Sequence, residues 1–561
     1  MKGILTIAFL LVATATFSQE KYWVYFADKN GVTINPEDYF HPKAIARRDK
    51  INYPLNHFTD LPVKQAYVDQ VLEKVIKVKG TSRWFNAAVV IAGKEQINSV
   101  QKLPFVKKVE SDEYTAVVCV SNEEDSIDSG FEKKDLIRFQ VERMQAQKFA
   151  LNGYKGKGKL IAIFDAGFPG VDDADIFEHI RARNGIRGTF DFIRNTENVY
   201  RKISHGSTVL SCIAGIKDDS VMIGVAPQAD FLLAITEKLM KEGLAEEEAW
   251  LFAAEWADKN GVDIINSSLG YTRRNNFKHD MDGNTAVITR AANMASSKGI
   301  LVVSSAGNEG DKKHWMMMAA PADGDSVLAV GAINPWSGYH TSFSSFGPSA
   351  DKELKPNVTA VGHVMAYGVN KKVNETQGTS FSAPLITGFA ACAWQAKPDL
   401  TNWELLKEIE KSGDLYPYFD YAHGYGVPQA SHFMSAKNTR YTAADSVFSV
   451  KMDEKSITVA VRDDFLPMDS LFAEEIPLEK VAIKIQERLR HDQHDQIDRE
   501  HPFEKQELFY YHIENDLNYL DEFSVVTVDE NPILQLDVED LKGKTVRFHY
   551  RGVTEELKLK K

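Results

Sequence analysis

Only three cysteines, Cys119, Cys212 and Cys392, occur in 561 residues. That scarcity excludes a disulfide framework, and no Cys/His spacing suggests a zinc site. A basic stripe is also missing. Asp and Glu outnumber Lys and Arg by 79 to 66, for a net charge of −13. Nucleic acid is therefore not an expected partner, and the acidity speaks mainly for solubility. No apolar run is long enough to span a bilayer, so no membrane span is expected. The longest candidate is N-terminal: Met1-Lys2-Gly3, then Ile4 to Ala13, then Thr16-Phe17-Ser18. This reads as a secretory signal over residues 1–18, cut after Ser18 or Gln19, and the expected location is secreted, periplasmic or cell-surface. No cysteine lies at the cut, so a bacterial lipid anchor is not expected.

What is present suffices for about three domains. Residues 19–118 read as a small α+β unit. Lys21 to Phe26 is strand-like, Gln65 to Val78 has a helical pattern, and Trp84 to Ala92 and Val106 to Glu110 are β-like. Residues 119–137 are polar, acidic and unpatterned, hence a linker. Residues 138–435 alternate strand and helix. Strands are expected at 159–164, 230–235, 263–268, 300–304 and 327–332, and helices at 205–215, 243–259, 284–298 and 380–396. This predicts an α/β, doubly wound parallel sheet with helices on both faces. Residues 440–561 are β-rich and accessory, with strands expected over Val447–Val461, Phe523–Val528, Ile533–Val538 and Lys544–Tyr550. Within them, Arg488 to His501 is dense in charge. Its His491, His494, Asp492, Asp495 and Asp498 read as a solvated loop or exposed helix rather than a metal site.

The chemistry-bearing motifs fall in the alternating region. Gly378-Thr379-Ser380-Phe381-Ser382-Ala383-Pro384 opens an apolar, small-residue helix. Ser380 is thereby placed at a helix N-terminus, where free N–H groups and the positive dipole end favour an anion. Lys159 to Phe164 is an apolar run that ends in Asp165-Ala166-Gly167, and His205-Gly206-Ser207 starts another helix. An alcohol nucleophile needs a base, and the base needs a carboxylate to hold its tautomer. Ser304 to Gly310 follows a further apolar strand and offers the Asn308 amide as an oxyanion donor. Singly, each position has an ordinary explanation as a cap or turn residue. Jointly, the ordinary explanation must account for every position independently.

These motifs, with Ser268-Leu269-Gly270 and Ala306-Gly307-Asn308, resemble those of the subtilisin-like serine peptidases, the subtilases, over residues 138–435. The order Asp, His, Ser is the subtilisin order. The resemblance implies Asp165 as orienter, His205 as general base and acid, Ser380 as nucleophile and Asn308 as oxyanion donor. It implies a substrate cleft flanked by Ser268, Leu269, Gly270, Ala306, Gly307 and Glu309, with polypeptides as substrates. Such walls accept large apolar side chains, and Glu309 would also tolerate a basic one. Ala166 departs from the Ser or Thr of many members, and being small it disturbs little.

The resemblance further implies that residues 19–118 are a propeptide, an intramolecular inhibitor removed on maturation, the alternative being a permanent N-terminal domain. No cofactor is required for the chemistry. Many subtilases hold structural calcium, for which Asp172, Asp173 and Asp175 are a candidate cluster, although an acidic loop is the ordinary reading. A different class of function, a catalytically inactive binding protein on the same fold, is disfavoured because all four catalytic positions are filled. A lipase would need Gly-x-Ser-x-Gly with the histidine last, and a dinucleotide loop would need glycine spacing that Pro169 interrupts.

Overall fold

The computed structural model describes residues 19–111, 133–201, 203–218, 221–237, 245–273, 278–312, 315–368, 371–434, 447–462, 465–466, 507–517, 519–528 and 532–560, and the backbone of 116–118. The expected signal, most of the expected linker, Cys119 and the charged stretch Arg488–His501 lie outside the described residues. The chain divides into two units. One is Met1–Pro36 with Leu55–Tyr114, and the other is Glu37–Pro54 with Thr115–Lys561.

The smaller unit is an antiparallel sheet in the order Lys77–Ser82, Ala87–Ala92, Glu20–Phe26, Val106–Ser111. Its two central strands carry the aromatic residues Tyr22, Trp23, Tyr25 and Phe26 and the β-branched Val89, Val90 and Ile91, residue types that fit a pleated, half-buried surface. The helices Gln65–Leu72 and Lys94–Gln101 supply Val68, Val71, Ile97 and Val100 to one core with Val24 and Val90. The helical pattern expected to reach Val78 stops at Leu72, and the chain re-enters the sheet at Lys77.

The larger unit is built on seven parallel strands. Their order is Val358–Val361, Val327–Ile333, Leu301–Ser305, Ile264–Ser267, Leu160–Asp165, Asp230–Ile235, Ile186–Asp191. The five expected strands are all present, and they are buried almost throughout because helices cover both faces. Ile161 and Ile163 face a core shared with the paired helices His205–Ala214 and Thr379–Ala396. Phe164, pointing the other way, meets Trp250 of the helix Ala245–Lys259 edge-on at 5.2 Å. That helix pairs with Val287–Ser297.

Both outermost strands escaped the sequence reading. Ile186–Asp191 is mostly half-exposed and lacks an apolar run, and Val358–Val361 is only four residues long. The helix Lys133–Glu142 begins within the span read as linker, and its Gln140 is buried with its amide on Ile223 O and Met365 N. Cys212 and Cys392 are free thiols, each fully buried in a helix.

Residues 447–560 form two antiparallel sheets. One has the order Phe448–Met452, Ser456–Val461, Leu534–Asp537, and the other Leu520–Thr527, Leu508–Glu514, Thr545–Tyr550, Val553–Lys558. Phe448, Val459, Phe509, Val546, Phe548 and Tyr550 form their core. Among the described residues, no helix is long and apolar enough to cross a membrane.

Candidate active site

The strand Leu160–Asp165 delivers Asp165 to its carboxyl end, where ligands of open α/β sheets bind. His205 is the first residue of the helix His205–Ala214. The two meet because Gly206 allows a close approach: a Cβ there would lie 2.5 Å from Gly167 O and 2.7 Å from the Phe168 ring. The His205 Nδ1 lies 2.9 and 3.0 Å from the two Asp165 carboxylate oxygens, and both residues are fully buried. An Nδ1–H donated to this carboxylate leaves Nε2 as the basic nitrogen of the ring.

Ser380 sits in the first turn of the helix Thr379–Ala396, with Gly378 as N-cap. That helix packs on the helix carrying His205, and the Phe381 ring lies 5.7 Å from the imidazole. The Ser380 Oγ donates to Ser268 O at 3.1 Å. Ser268, Leu269 and Gly270 follow the central strand Ile264–Ser267 and are buried.

Asn308 follows the adjacent strand, Leu301–Ser305. Its Oδ1 accepts from the Thr379 N–H and from the Thr379 hydroxyl, both at 2.9 Å. Two donors on one atom fix which end of the amide is oxygen. The Nδ2 is buried with no hydrogen-bond partner among the described residues. It is therefore a preoriented donor with spare capacity, beside the same helix start that carries Ser380. Thr379, which also accepts from the Gly307 N–H at 3.3 Å, is the positioning residue that sequence reasoning did not single out. The only signal for it was its place before the serine.

Ala306 and Gly307 continue from the same strand and are buried. Glu309 N donates to Ser345 Oγ at 3.1 Å, and its carboxylate lies 2.8 Å from Lys312 Nζ. The charge read as available to a basic substrate is thus already matched by a lysine. Of the candidate calcium cluster, read above as an ordinary acidic loop, Asp173 pairs with Lys371. Among the described residues, no three His, Cys, Asp or Glu side chains are grouped as metal ligands.

A second peptide segment lies beside this site. Ala116–Val118 pairs antiparallel with Tyr271–Arg273, directly after Ser268-Leu269-Gly270.

The subtilase family profile matches residues 156–426, and a peptidase S8 propeptide domain of the Bacteroidota matches residues 21–127. Subtilisin E of Bacillus subtilis is 28% identical over 346 residues, which cover 61% of this chain and 80% of that protein. Subtilisin of Bacillus pumilus is 29% identical over 278 residues, covering 49% of this chain and 91% of that protein. A thermostable alkaline protease of Halalkalibacterium halodurans is 27% identical over 319 residues, covering 57% of this chain and 75% of that protein. Through its residues 156–426, preceded by an S8 propeptide domain, the chain belongs to the subtilase family, the serine endopeptidases of the subtilisin type.

Proposed function

We propose that the protein is an exported endopeptidase acting through Asp165, His205 and Ser380, with Asn308 at the oxyanion. The buried contact between His205 Nδ1 and the Asp165 carboxylate carries this reading. The Ser380 hydroxyl turns from Ser268 O to His205 Nε2, which accepts its proton as Oγ attacks the peptide carbonyl carbon. The carbonyl π electrons move to oxygen. That oxyanion accepts from the Asn308 Nδ2–H and from backbone N–H at the start of the serine helix. Collapse breaks the C–N bond, His205 gives its proton to the departing amine, and an acyl-enzyme remains. Water then enters by the same route, with His205 again as base. Each proton is moved by a side chain, so these steps call for no metal or cofactor.

The strand formed by Ala116–Val118 supports a propeptide that ends in the substrate cleft, since a bound peptide would use the same antiparallel pairing. Cleavage then falls within or just before the acidic linker, and the mature N-terminus between about Val118 and Leu136, since unpatterned polar linkers are where nicking concentrates. Residues 1–18 serve as the export signal in this reading.

An organophosphonate probe tests the chemistry directly. The wild-type protein should be labelled at Ser380 and should cut its own linker. The Ser380→Ala protein should do neither, with kcat lower by about 10⁶, the magnitude found in subtilisin itself. Hydrolysis by purified Ser380→Ala at the wild-type rate would remove the serine from the mechanism. Linker cleavage at the same position in Ser380→Ala would assign processing to another protease.

A further inference from the structure

The segment 37–54 lies within the span of the propeptide match but clusters with the peptidase unit. Its helix, Pro42–Lys50, presents Arg47, Arg48 and Lys50 in its last turn, with Lys43 in its first. These cations meet a built receptor. Arg48 is fully buried, and its guanidinium lies 2.7 Å from Asp258 Oδ2, a carboxylate that is itself fully buried. Arg47 donates to the other oxygen of the same carboxylate, to the Val262 carbonyl and, at 2.9 Å, to the Lys298 carbonyl.

The receptor's place in the fold explains its affinity for cations. Asp258 is in the last turn of the helix Ala245–Lys259, and Lys298 caps the end of the helix Val287–Ser297. Arg47 therefore satisfies C-terminal carbonyls of two helices at their negative dipole ends, in addition to a carboxylate. Gly299 makes room for it, because a Cβ there would lie 2.8 Å from Arg47 Cγ.

Further contacts extend the docking. His41 N donates to Lys259 O at 2.9 Å, Lys43 pairs with Asp263, and Lys50 donates to the Pro398 and Leu400 carbonyls. The Phe40 ring stacks on the Arg48 guanidinium at 4.2 Å, and Lys298 Nζ donates back to Tyr53 OH at 2.9 Å. Few of these partners belong to the machinery described above, and Asp258 lies on a helix that carries none of the catalytic side chains.

We infer that residues 37–54 are a cationic clip: a second foothold that holds the propeptide on the peptidase after the linker is cut, its arginines seated in a receptor made by Asp258 and two helix ends. This deepens the propeptide reading and rests on it. A peptide seated only by its cut end would leave once that end slipped from the cleft. The clip instead ties release to the breaking of a buried double ion pair, so the propeptide leaves slowly or after its own proteolysis. Removal of one side of such a pair strands a buried charge, which makes the loss steep.

The test uses the full chain in two forms. In the uncleavable Ser380→Ala form, hydrogen exchange of 37–54 and of 256–262 reports docking. Arg47→Gln with Arg48→Gln should raise exchange at both by about 100-fold while the central strands stay protected. Asp258→Asn should do the same from the receptor side, and adding it to the arginine pair should cause little further change.

In the cleavable form, the cut N-terminal fragment should co-elute with the peptidase for wild type. It should separate for Arg47→Gln with Arg48→Gln, and activity should then appear sooner after cleavage. The kcat/KM of the finished enzyme should be unchanged, because the finished enzyme lacks both arginines. Unchanged exchange at 37–54 in both variants, or co-elution as in wild type, would overturn the clip. Failure of the propeptide reading looks different: wild type would keep its linker intact and be fully active while 37–54 remained protected.

Discussion

The seven-stranded parallel sheet and the antiparallel sheets of residues 447–560 are both β structure with a buried core, yet the residues proposed for catalysis all gather on the first. In the parallel sheet, every strand runs the same way, so its carboxyl ends form one edge. Asp165, Ser268 and Asn308 follow three of those ends, and helices starting at the same edge bring His205 and Ser380. In the antiparallel sheets, neighbouring strands reverse, so no edge gathers the ends. What these sheets offer is a face. The strand Leu508–Glu514 is buried along its whole length, but the two sides of that burial differ. Phe509, Tyr511 and Ile513 join the C-terminal core. Leu508 and Tyr510 pack with Leu415 and Tyr418 of the peptidase region, and the His512 Nδ1 donates to Phe419 O at 2.5 Å.

The sharpest way to break this comparison is to damage the region that holds none of the proposed catalytic residues. Phe548 is fully buried among Phe509, Val546 and Tyr550. Phe548→Ala should remove about 3–5 kcal/mol of stability, the usual cost of emptying an aromatic core site. Urea unfolding of the Ser380→Ala background, followed by hydrogen exchange of residues 508–514 and 545–558, would measure it. The active counterpart, assayed below its transition, should keep the wild-type kcat/KM. A fall in kcat/KM by tenfold or more would mean that the C-terminal sheets shape the cleft, and the division drawn above would fail.

The next change touches chemistry while sparing the fold. Asn308→Leu preserves approximate shape and removes the donor. Loss of an oxyanion donor in subtilisin slows turnover by about 10²–10³, and a similar fall in kcat with little change in KM is expected here. Thr379→Val should reproduce part of that loss. The threonine hydroxyl holds the Asn308 amide and also accepts from the Gly307 N–H, so its removal should act through the position of that loop. Steady-state kinetics on a peptide substrate would separate the two, and an unchanged kcat in Asn308→Leu would take the residue out of the mechanism.

The two regions also differ in how much of them was legible from sequence. The central strands announced themselves because burial on both faces demands uninterrupted apolar runs, and Leu160–Asp165 is such a run. The motif residues were legible because their chemistry restricts residue type. Strand Leu508–Glu514 was not, since its second apolar face answers to Tyr418 and Phe419, more than 80 residues away in the chain. Partners of site residues were hidden for the same reason. Nothing local ties Thr379 to Asn308, and Lys312 matches Glu309 only once the loop is folded. The clip escaped because its arginines look like ordinary helix-end cations until Asp258, roughly 210 residues later, is placed against them.

The smallest expected effect sharpens the comparison through pH. One buried carboxylate in each region, Glu514 and Asp323, is tuned in the opposite direction to the other. At the C-terminal seam, burial works against the charged form of Glu514, but contacts from His512 and Arg547 outweigh it and hold its pKa below the usual range. In the peptidase region, burial raises Asp323 to about 6, despite hydrogen bonds from Thr289 Oγ1 and Gly283 N and the nearby Lys355. The signs follow by linkage. Glu514 contributes stability above its unfolded pKa and loses it as pH falls through the folded value. Asp323 contributes stability below its unfolded pKa of about 4, and that contribution is lost as pH rises through about 6. Lys355, lowered to about 8 by burial, remains a cation across this window. Asp323→Asn fixes the site in a neutral form. The amide oxygen can keep the Thr289 bond, but Nδ2 would then face the Gly283 N–H, a pH-independent cost of about 1–3 kcal/mol. The decisive quantity is therefore the slope, not the offset. In the Ser380→Ala background, unfolding free energies at pH 4, 5, 6 and 7 should show wild type losing up to about 3 kcal/mol relative to the Asn variant as pH rises. Parallel curves for the two proteins would mean that Asp323 does not titrate in this window, and the contrast with Glu514 would disappear.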